Sequence, residues 1–218
     1  MQNSERGTGN GERGTAVRGA ILAGGGATRL GGVPKGLERV GGQRILDHLV
    51  EAFVAALGEP PLLIANAPDA ASWLPDLRVA PDLRPGLGAL GGLYTAVRLA
   101  PAPVVTVAWD MPFVGPGLIG ALAAGLTNAD ACLPESGGPR NLEPLCAGYG
   151  PACESAIAAA LEAGDFRAIA FHSRIKVGIL SQEQVRALGD PALMFFNVNT
   201  SEDLAEANQL WQRHGFSR

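Results

Sequence analysis

The sequence lacks several features that mark common classes of protein. Its net charge is −4, so it has none of the basic excess that a nucleic-acid coat or an anionic-membrane binder requires. No apolar run approaches the length of a membrane span, and the N-terminus has no signal-peptide core. We therefore expect a cytoplasmic protein with neither a nucleic-acid nor a membrane partner.

Cysteine, histidine and aromatic residues are also scarce. The chain has 3 cysteines and 3 histidines, and neither set has the spacing of a zinc site. An odd number of cysteines without a disulfide pattern is typical of reduced, buried thiols. Because aromatic residues make up 6% of the chain, the core must depend on Ala, Val, Ile and Leu.

What the sequence does contain is a regular alternation of strand and helix patterns. Residues 1–17 are polar and Gly-rich, which predicts a disordered tail. From residue 18 to residue 218, short apolar runs alternate with amphipathic stretches. This pattern predicts one α/β domain, a Rossmann-like three-layer fold with a mostly parallel sheet.

Two segments give specific structural predictions. "ILDHLVEAFVAAL", residues 45–57, predicts a helix whose apolar face includes Phe53 and Val54, and Gly58 should end it. Near the end, "MFFNVN" predicts a strand, and the acids of "TSEDL" predict a following helix capped by Thr200 or Ser201.

Polar residues and glycine directly follow several of the predicted strands. Gly24, Asn66, Asp82 and Asp110 each come at or just after the end of an apolar run. Ligands of parallel α/β sheets bind beyond the carboxyl ends of the strands. The pattern therefore predicts a ligand site that contains these residues.

The first of these strands leads into the glycine-rich stretch "GAILAGGGATRLGGVPKGL". A dinucleotide fingerprint would need a third glycine where Arg29 stands, which disfavours an NAD-dependent dehydrogenase. A P-loop would need its lysine directly after the last glycine, whereas Val33 and Pro34 separate Gly32 from Lys35. The loop is therefore a phosphate cradle of a different kind.

The residue types of this loop, together with Asp110, suit the binding of phosphate groups. The backbone N–H groups of Gly24 and Gly25 can approach phosphate oxygens closely. Arg29 suits a bidentate phosphate contact, Lys35 supplies a point charge, and Asp110 is a hard oxygen ligand of the kind Mg²⁺ prefers. We predict that Arg29, Lys35 and Asp110 are catalytic.

The glycine-rich turn and the polar residues that follow the strands also have a purely structural interpretation. A glycine-rich turn can serve helix–strand packing, and Asn66, Asp82 and Asp110 are common turn formers. Asp82 could bind the nucleotide or support the metal, and the amide of Asn66 could read a base or ribose edge. Asn197 suits a helix cap as well as it suits a ligand contact.

The glycine-rich loop and four later segments, in order, resemble the molybdenum cofactor guanylyltransferases, over about residues 18 to 212. The loop is "LAGGGATRLGGVPKGL", and the later segments are "LIAN", "APDLRPGLGALGG", "VAWDMPFV" and "FFNVNTSEDL". Three residues depart from the usual pattern: Pro34 stands in place of an acid, Ala89 in place of a proline and Trp109 in place of a cysteine.

The resemblance implies that the chain transfers GMP from GTP to molybdenum-bound molybdopterin and releases pyrophosphate, with Mg²⁺ as cofactor. It assigns GTP contacts to Leu22, Ala23, Gly24, Lys35, Asn66 and Asp82. It assigns Asp110 to both nucleotide and Mg²⁺, and it directs Asn197 and Asn199 toward molybdopterin. Other cofactor-biosynthesis proteins or acceptor molybdoenzymes are implied partners.

Two other functions stay open on the sequence alone. One is the same chemistry with CTP or with a different phosphorylated acceptor. The other is a nucleotide-binding protein that has kept the fold and lost turnover, which Pro34 and Trp109 beside the key residues keep in consideration.

Overall fold

Strands and helices alternate along most of the chain, as the hydrophobic pattern predicts. The structure, a computed structural model, describes residues 16–24, 29–30, 33–138 and 141–215, with residues 29–30 described by their backbone alone. Residues 1–15 of the predicted tail lie outside these ranges, so its disorder stays a prediction. Val17, at the end of that segment, packs against the core.

The elements have the following bounds. The strands are β1 (Arg18–Ala23), β2 (Arg29–Leu30), β3 (Val33–Pro34), β4 (Arg39–Val40), β5 (Gln43–Arg44), β6 (Leu62–Ala65), β7 (Val79–Ala80), β8 (Val104–Ala108), β9 (Ala131–Pro134), β10 (Ala147–Tyr149) and β11 (Val177–Leu180). The α-helices are α1 (Ile45–Leu57), α2 (Gly88–Leu99), α3 (Pro116–Gly125), α4 (Cys153–Glu162), α5 (Gln182–Leu188), α6 (Pro191–Met194) and α7 (Ser201–His214). Short 3-10 helices cover Lys35–Leu37, Ala70–Ser72 and His172–Arg174.

Seven strands form one sheet in the order β11-β9-β10-β8-β1-β6-β7. β10 runs antiparallel to both neighbours, β8 and β9, and the other pairs of this sheet are parallel. This confirms the predicted α/β class and its mostly parallel sheet. Because β6, β1 and β8 are adjacent and parallel, their carboxyl ends meet at one edge of the sheet.

Helices cover both faces of the sheet and make the three layers. Successive side chains of a strand point to opposite faces. In β1, Ile21 and Ala23 therefore join a core cluster with α1 and α3, whereas Ala20 and Leu22 join a second cluster with α2 and α4. Both faces of β1 and β8 are buried, which explains why these strands are almost continuously apolar.

Helix α1 confirms the predicted boundaries. Gly58 adopts a left-handed conformation with φ of 79°, and its N–H donates to Val54 O at 2.9 Å, which ends the helix. Phe53 is fully buried as predicted, but the prediction for Val54 was wrong because its side chain is 43% exposed. Ala52 completes the buried face instead.

The predicted strand in "MFFNVN" is wrong. Asp190 caps α6 by accepting a bond from Ala192 N at 3.0 Å, and Pro191 occupies the first turn, where it needs no backbone donor. The chain then runs on irregularly, and Val198 N donates to Asp110 O at 2.8 Å. Tertiary packing at the end of β8 therefore replaces sheet pairing in this segment.

Helix α7 begins as predicted. Thr200, rather than Ser201, is the cap: its hydroxyl accepts from Asp203 N at 3.1 Å, and the Asp203 carboxylate accepts from Thr200 N at 2.8 Å. The pattern did not predict β11, which pairs in parallel with β9 at the sheet edge. Within the described residues, no helix combines the length and apolar character needed to cross a membrane.

Candidate active site

A cleft of about 580 Å³ opens at the carboxyl ends of β1, β6 and β8. Its walls include the end of β1, the first turn of α2, residues 108–111, residues 143–145 and the segment before α7. Six residues that sequence reasoning singled out line it: Leu22, Gly24, Asp82, Asp110, Asn197 and Asn199. The topological prediction of a ligand-sized opening at this edge therefore agrees with the structure.

At one end of the cleft, Lys35, Asp110 and Asn199 meet although they come from distant parts of the chain. Lys35 Nζ donates to Asn199 Oδ1 at 2.7 Å and lies 3.8 Å from Asp110 Oδ2. The lysine is only 5% exposed, so its ammonium group is held in place rather than solvated. An ammonium has three donors, and these two neighbours leave part of that capacity for a ligand.

Glycine at position 36 and tryptophan at position 109 together position Lys35. A Cβ atom at Gly36 would lie 2.7 Å from Trp109 Cε3 and 2.8 Å from Leu46 Cγ, so the 3-10 helix that carries Lys35 can pack this closely only with glycine there. Trp109 is itself stacked on Trp73 at a centroid distance of 5.6 Å. The departure at position 109 thus supplies the surface against which the lysine segment packs.

Asp110 is a partly buried carboxylate with spare coordinating capacity. Burial raises its pKa above the ordinary value, and the nearby Lys35 charge offsets part of that rise. Its Oδ2 faces Lys35, whereas its buried Oδ1 has no hydrogen-bond partner among the described residues. A buried polar atom without a partner is costly, and a bound cation would satisfy it.

At the other end of the cleft, Asn66 and Asp82 form a reciprocal pair. Asn66 Nδ2 donates to Asp82 Oδ2 at 2.7 Å, and Asp82 N donates to Asn66 Oδ1 at 2.8 Å. Both residues belong to exposed loops that follow the neighbouring strands β6 and β7. Asn66 therefore fixes the orientation of Asp82, and Asp82 Oδ1 is left for a ligand.

Helix α2 adds a polar feature that the sequence analysis did not single out. Its first turn, through Gly88, Ala89 and Gly92, lines the cleft, so backbone N–H groups at the helix start lie beside the ligand space. Further along, the buried Thr95 hydroxyl donates to Gly91 O and accepts from Leu83 N, both at 2.9 Å. Thr95 thereby fixes the turn that carries Asp82.

The remaining predicted residues fall in different places. The side chain of Ala23 packs in the core on the α1 side, so only its backbone could contact a ligand. Gly25 lies outside the described residues, and for Arg29 the structure describes the backbone, which pairs with Pro34, but not the side chain. Asn197 lines the cleft and donates through Nδ2 to Phe195 O at 2.8 Å.

The sequence analysis did not predict two residues that lie at or near the site. Glu143 lines the cleft, and the signal for it was the segment "NLEPLCAGYG", in which an acid stands just before a strand. Asp203 holds the backbone of Asn199 through an N–H···Oδ2 bond of 2.8 Å. Its capping role could be predicted from the sequence, but its link to Lys35 depends on tertiary structure.

Comparison with known proteins gives a consistent result. The family model of the MobA-like NTP transferase domain matches residues 19–176. A protein of Pelotomaculum thermopropionicum described as a probable molybdenum cofactor guanylyltransferase is 35% identical, over 87% of this chain and 90% of its own length. A molybdenum cofactor guanylyltransferase of Bradyrhizobium sp. is 34% identical, over 90% and 93%.

Solved structures share the same fold. The molybdopterin-guanine dinucleotide biosynthesis protein A of Archaeoglobus fulgidus superposes with a TM-score of 0.75 at 24% identity, and the match covers 90% of this chain and 100% of that one. The 4-diphosphocytidyl-2C-methyl-D-erythritol synthase of Anaerococcus prevotii superposes with a TM-score of 0.70 at 15% identity, covering 91% and 97%. At these identities the likeness concerns the fold.

Proposed function

Since this chain belongs to the MobA-like NTP transferase family, we propose that it transfers GMP from GTP to the terminal phosphate of molybdenum-bound molybdopterin. The products would be the guanine dinucleotide form of the cofactor and pyrophosphate. The observation that carries the proposal is the meeting of Lys35 and Asp110 at one end of a cleft whose other end holds the Asn66–Asp82 pair. The names of relatives at 34% and 35% identity support the choice of GTP and molybdopterin.

The reaction needs charge neutralisation and alignment more than acid–base groups. A phosphate oxygen of the acceptor would form a bond to the α-phosphorus of GTP. The bond from that phosphorus to the oxygen that bridges it to the β-phosphorus would break, and pyrophosphate would leave. Because the acceptor phosphate is already an anion, the residues at the site need not include a strong general base.

Lys35 is the group best placed to neutralise phosphate charge. Its ammonium is buried, and Asn199 and Asp110 hold it on two sides. A fixed charge in a site that excludes water stabilises a developing negative charge more than a solvated one does. The N-terminus of α2, which has no side-chain cap among the described residues, adds backbone N–H groups beside the same cleft.

The Asn66–Asp82 end suits the nucleoside. The N1–H and N2–H groups of guanine are hydrogen-bond donors, and Asp82 Oδ1 is an acceptor on the cleft wall. Gly92 leaves room beside it, since a Cβ there would already lie 3.5 Å from that oxygen. Cytosine presents a different set of donors, so the same carboxylate contributes to a preference for guanine.

We also propose that Asp110 holds Mg²⁺. Its buried, unpartnered Oδ1 is a hard oxygen donor of the type that Mg²⁺ selects, and no group of three His, Cys, Asp or Glu side chains is clustered among the described residues. A site with one protein carboxylate fits an ion that takes its other ligands from triphosphate oxygens and water. When bound, the ion would neutralise negative charge on the phosphates.

Pyrophosphate release from each of GTP, CTP, ATP and UTP, with molybdenum-bound molybdopterin as acceptor, tests the proposed activity. We expect release with GTP, dependence on Mg²⁺ and loss on addition of EDTA. A response to CTP alone would overturn the guanine assignment. Binding of GTP without any release would favour a protein that has lost turnover.

Two matched pairs of variants link that activity to the site. Lys35→Ala and Asp110→Ala should lower the rate of release by at least about 10²-fold, whereas Lys176→Ala and Asp76→Ala, which change exposed residues away from the cleft, should retain it. Circular dichroism and thermal melting of all four variants separate lost chemistry from lost folding. Equal activity in Lys35→Ala and Lys176→Ala would exclude Lys35 as the catalytic cation.

A further inference from the structure

The N-terminus of α7 contacts the end of the cleft that holds Lys35 and Asp110. This helix lies beyond the part of the chain that the family model matches. That match ends at residue 176, and α7 covers Ser201–His214. The residue just before the cap of α7 is Asn199, whose Oδ1 accepts the 2.7 Å bond from Lys35 Nζ. The catalytic lysine is therefore held partly by the C-terminal segment.

Asp203 fixes Asn199 in turn. Its Oδ2 accepts from Asn199 N and from Thr200 N, both at 2.8 Å, so one oxygen restrains two successive peptide groups. These N–H donors, that of Asn199 foremost, lower the pKa of the Asp203 carboxyl, and the Lys35 charge adds to this effect. The result is a continuous set of contacts from Asp203 through Asn199 to Lys35.

The middle of α7 is anchored to the hairpin that follows Lys35. Asn208 Nδ2 donates to Arg39 O in β4 and Asn208 Oδ1 accepts from Gly41 N in the β4–β5 turn, both at 3.0 Å. Trp211 packs on Gly41, where a Cβ atom would lie 2.2 Å from the indole Nε1. Helix α7 thus braces the segment from Lys35 to Gly41 at both ends.

We propose that Asp203 is a positioning residue, which orients Asn199 and through it holds the Lys35 ammonium against the phosphates of the nucleotide. This rests on the proposed function for the identity of the bound phosphates, but the restraint on Lys35 itself does not. Asp203 itself would contact no reacting atom. Its contribution is to restrict the conformations of the Lys35 side chain before the substrate binds.

An ordinary helix cap is the alternative explanation, and the chain contains a matched control for it. Helix α5 has the same capping box: Ser181 N donates to Gln184 Oε1 at 2.9 Å, and Gln184 N donates to Ser181 Oγ at 3.3 Å. Gln184 occupies the third position of its helix as Asp203 does, and among the described residues its side chain bonds to Ser181 N, not to Asn199 or Lys35. Gln184→Ala therefore removes the same kind of cap without touching the lysine.

Steady-state kinetics with GTP separates the two explanations. Asp203→Ala should lower kcat by about 10- to 100-fold, the cost of a small misplacement of a catalytic group, with KM for GTP within about twofold of wild type. Asp203→Asn should keep most of the activity because its amide oxygen can accept the same two bonds. Gln184→Ala should leave kcat unchanged, whatever it does to the melting temperature.

A variant of Asn199 covers the case in which Asp203→Ala fails to fold. Asn199→Ala leaves both backbone bonds to Asp203 in place and removes only the acceptor for Lys35 Nζ. It should show the same loss of kcat as Asp203→Ala, and the double variant should be no worse than Asn199→Ala alone. Additive losses in the double variant would overturn the proposed chain of contacts.

An NMR measurement tests the restraint even if the chain proves inactive with GTP. The sequence has two lysines, Lys35 and Lys176, so selective ¹³C-lysine labelling gives two ε-methylene signals, which Lys176→Arg assigns. A held Lys35 should show two inequivalent ε protons in wild type, Asp203→Asn and Gln184→Ala, and averaged ones in Asp203→Ala and Asn199→Ala. Unchanged Lys35 signals in the last two variants would disprove the positioning role, whereas changed signals in an inactive protein would count against the proposed function alone.

Discussion

The two ends of the cleft are built in opposite ways. The end that holds Lys35 and Asp110 is centred on a buried ammonium group and is assembled from three segments far apart in sequence. The end that holds Asn66 and Asp82 is exposed, and a reciprocal pair of bonds between two neighbouring loops maintains it. Electrostatic interactions are stronger where water is excluded, whereas hydrogen bonds at an exposed site mainly select and orient the ligand.

We infer from this difference that the two ends contribute to different steps. The end around Lys35 and Asp110, the phosphate end, should determine the rate of the chemical step, because its charges face the group that reacts. The end around Asn66 and Asp82, the nucleoside end, should determine which nucleotide binds and how tightly. Variants at the two ends should therefore divide into those that change kcat and those that change KM.

The largest effect is expected at the phosphate end. Lys35→Ala should lower kcat by about 10²- to 10³-fold, the usual consequence of removing one group that stabilises transition-state charge in a site of this kind. The change in KM for GTP should be much smaller. Steady-state pyrophosphate release, with Lys176→Ala as the control, measures this difference.

A smaller effect, of the other kind, is expected at the nucleoside end. Asp82→Ala should raise KM for GTP by about tenfold, equivalent to about 1.4 kcal/mol of lost binding, with kcat close to wild type. Asn66→Ala should act through the same carboxylate, so the double variant should be little worse than Asp82→Ala. A loss confined to kcat in Asp82→Ala would break the division between the two ends.

The buried hydroxyl behind Asp82 should matter less again. Thr95→Val removes the acceptor for Leu83 N while keeping the shape of the side chain, and a lost hydrogen bond of this kind costs about 1 kcal/mol. We expect KM for GTP to rise by about fivefold, and Thr95→Ser to restore it. Isothermal titration with GTP measures the same change without turnover.

The smallest effect is a pH dependence of stability with opposite signs at Asp110 and Asp203. Burial raises the pKa of Asp110, so its contribution to stability is fully present below the unfolded pKa, near 3.9, and is lost as pH rises through the folded pKa. Asp110→Asn should therefore melt above wild type by a margin that grows with rising pH. Lys35 offsets part of the burial effect, which keeps this margin small.

Asp203 should behave in the reverse manner. Backbone donors lower its pKa, so its stabilisation is present above the unfolded pKa and is lost as pH falls through the folded pKa. Asp203→Asn should melt below wild type at neutral pH, and the gap should close in acid. Melting curves from pH 3 to pH 8 in EDTA test both variants, and margins of the same sign would contradict the assigned electrostatics.

The sequence predicted the parts of this molecule that depend on local pattern. The alternation of apolar runs predicted the sheet class, Gly58 predicted the end of α1, and Thr200 predicted the start of α7. The strand ends also predicted the location of the cleft, because parallel strands that share an edge bring Asp82 and Asp110 to the same side.

What the sequence could not predict depends on tertiary contacts. "MFFNVN" has the residue pattern of a strand. Its Val198 N instead donates to Asp110 O, so the segment does not pair with a described strand of the sheet. Asn199 is the last residue of that segment, and its contact with Lys35, 164 positions away in sequence, could not be predicted from local spacing. Val54 fits the helical pattern, yet it lies at the edge of the buried face, where it is 43% exposed.

A crystal structure of the chain with GTP and Mg²⁺ bound tests the proposed site most directly. We expect phosphate oxygens within about 3.2 Å of Lys35 Nζ, the ion on Asp110, and guanine beside Asp82. A complex with the base at the Lys35 end, or with the triphosphate outside the cleft, would contradict it.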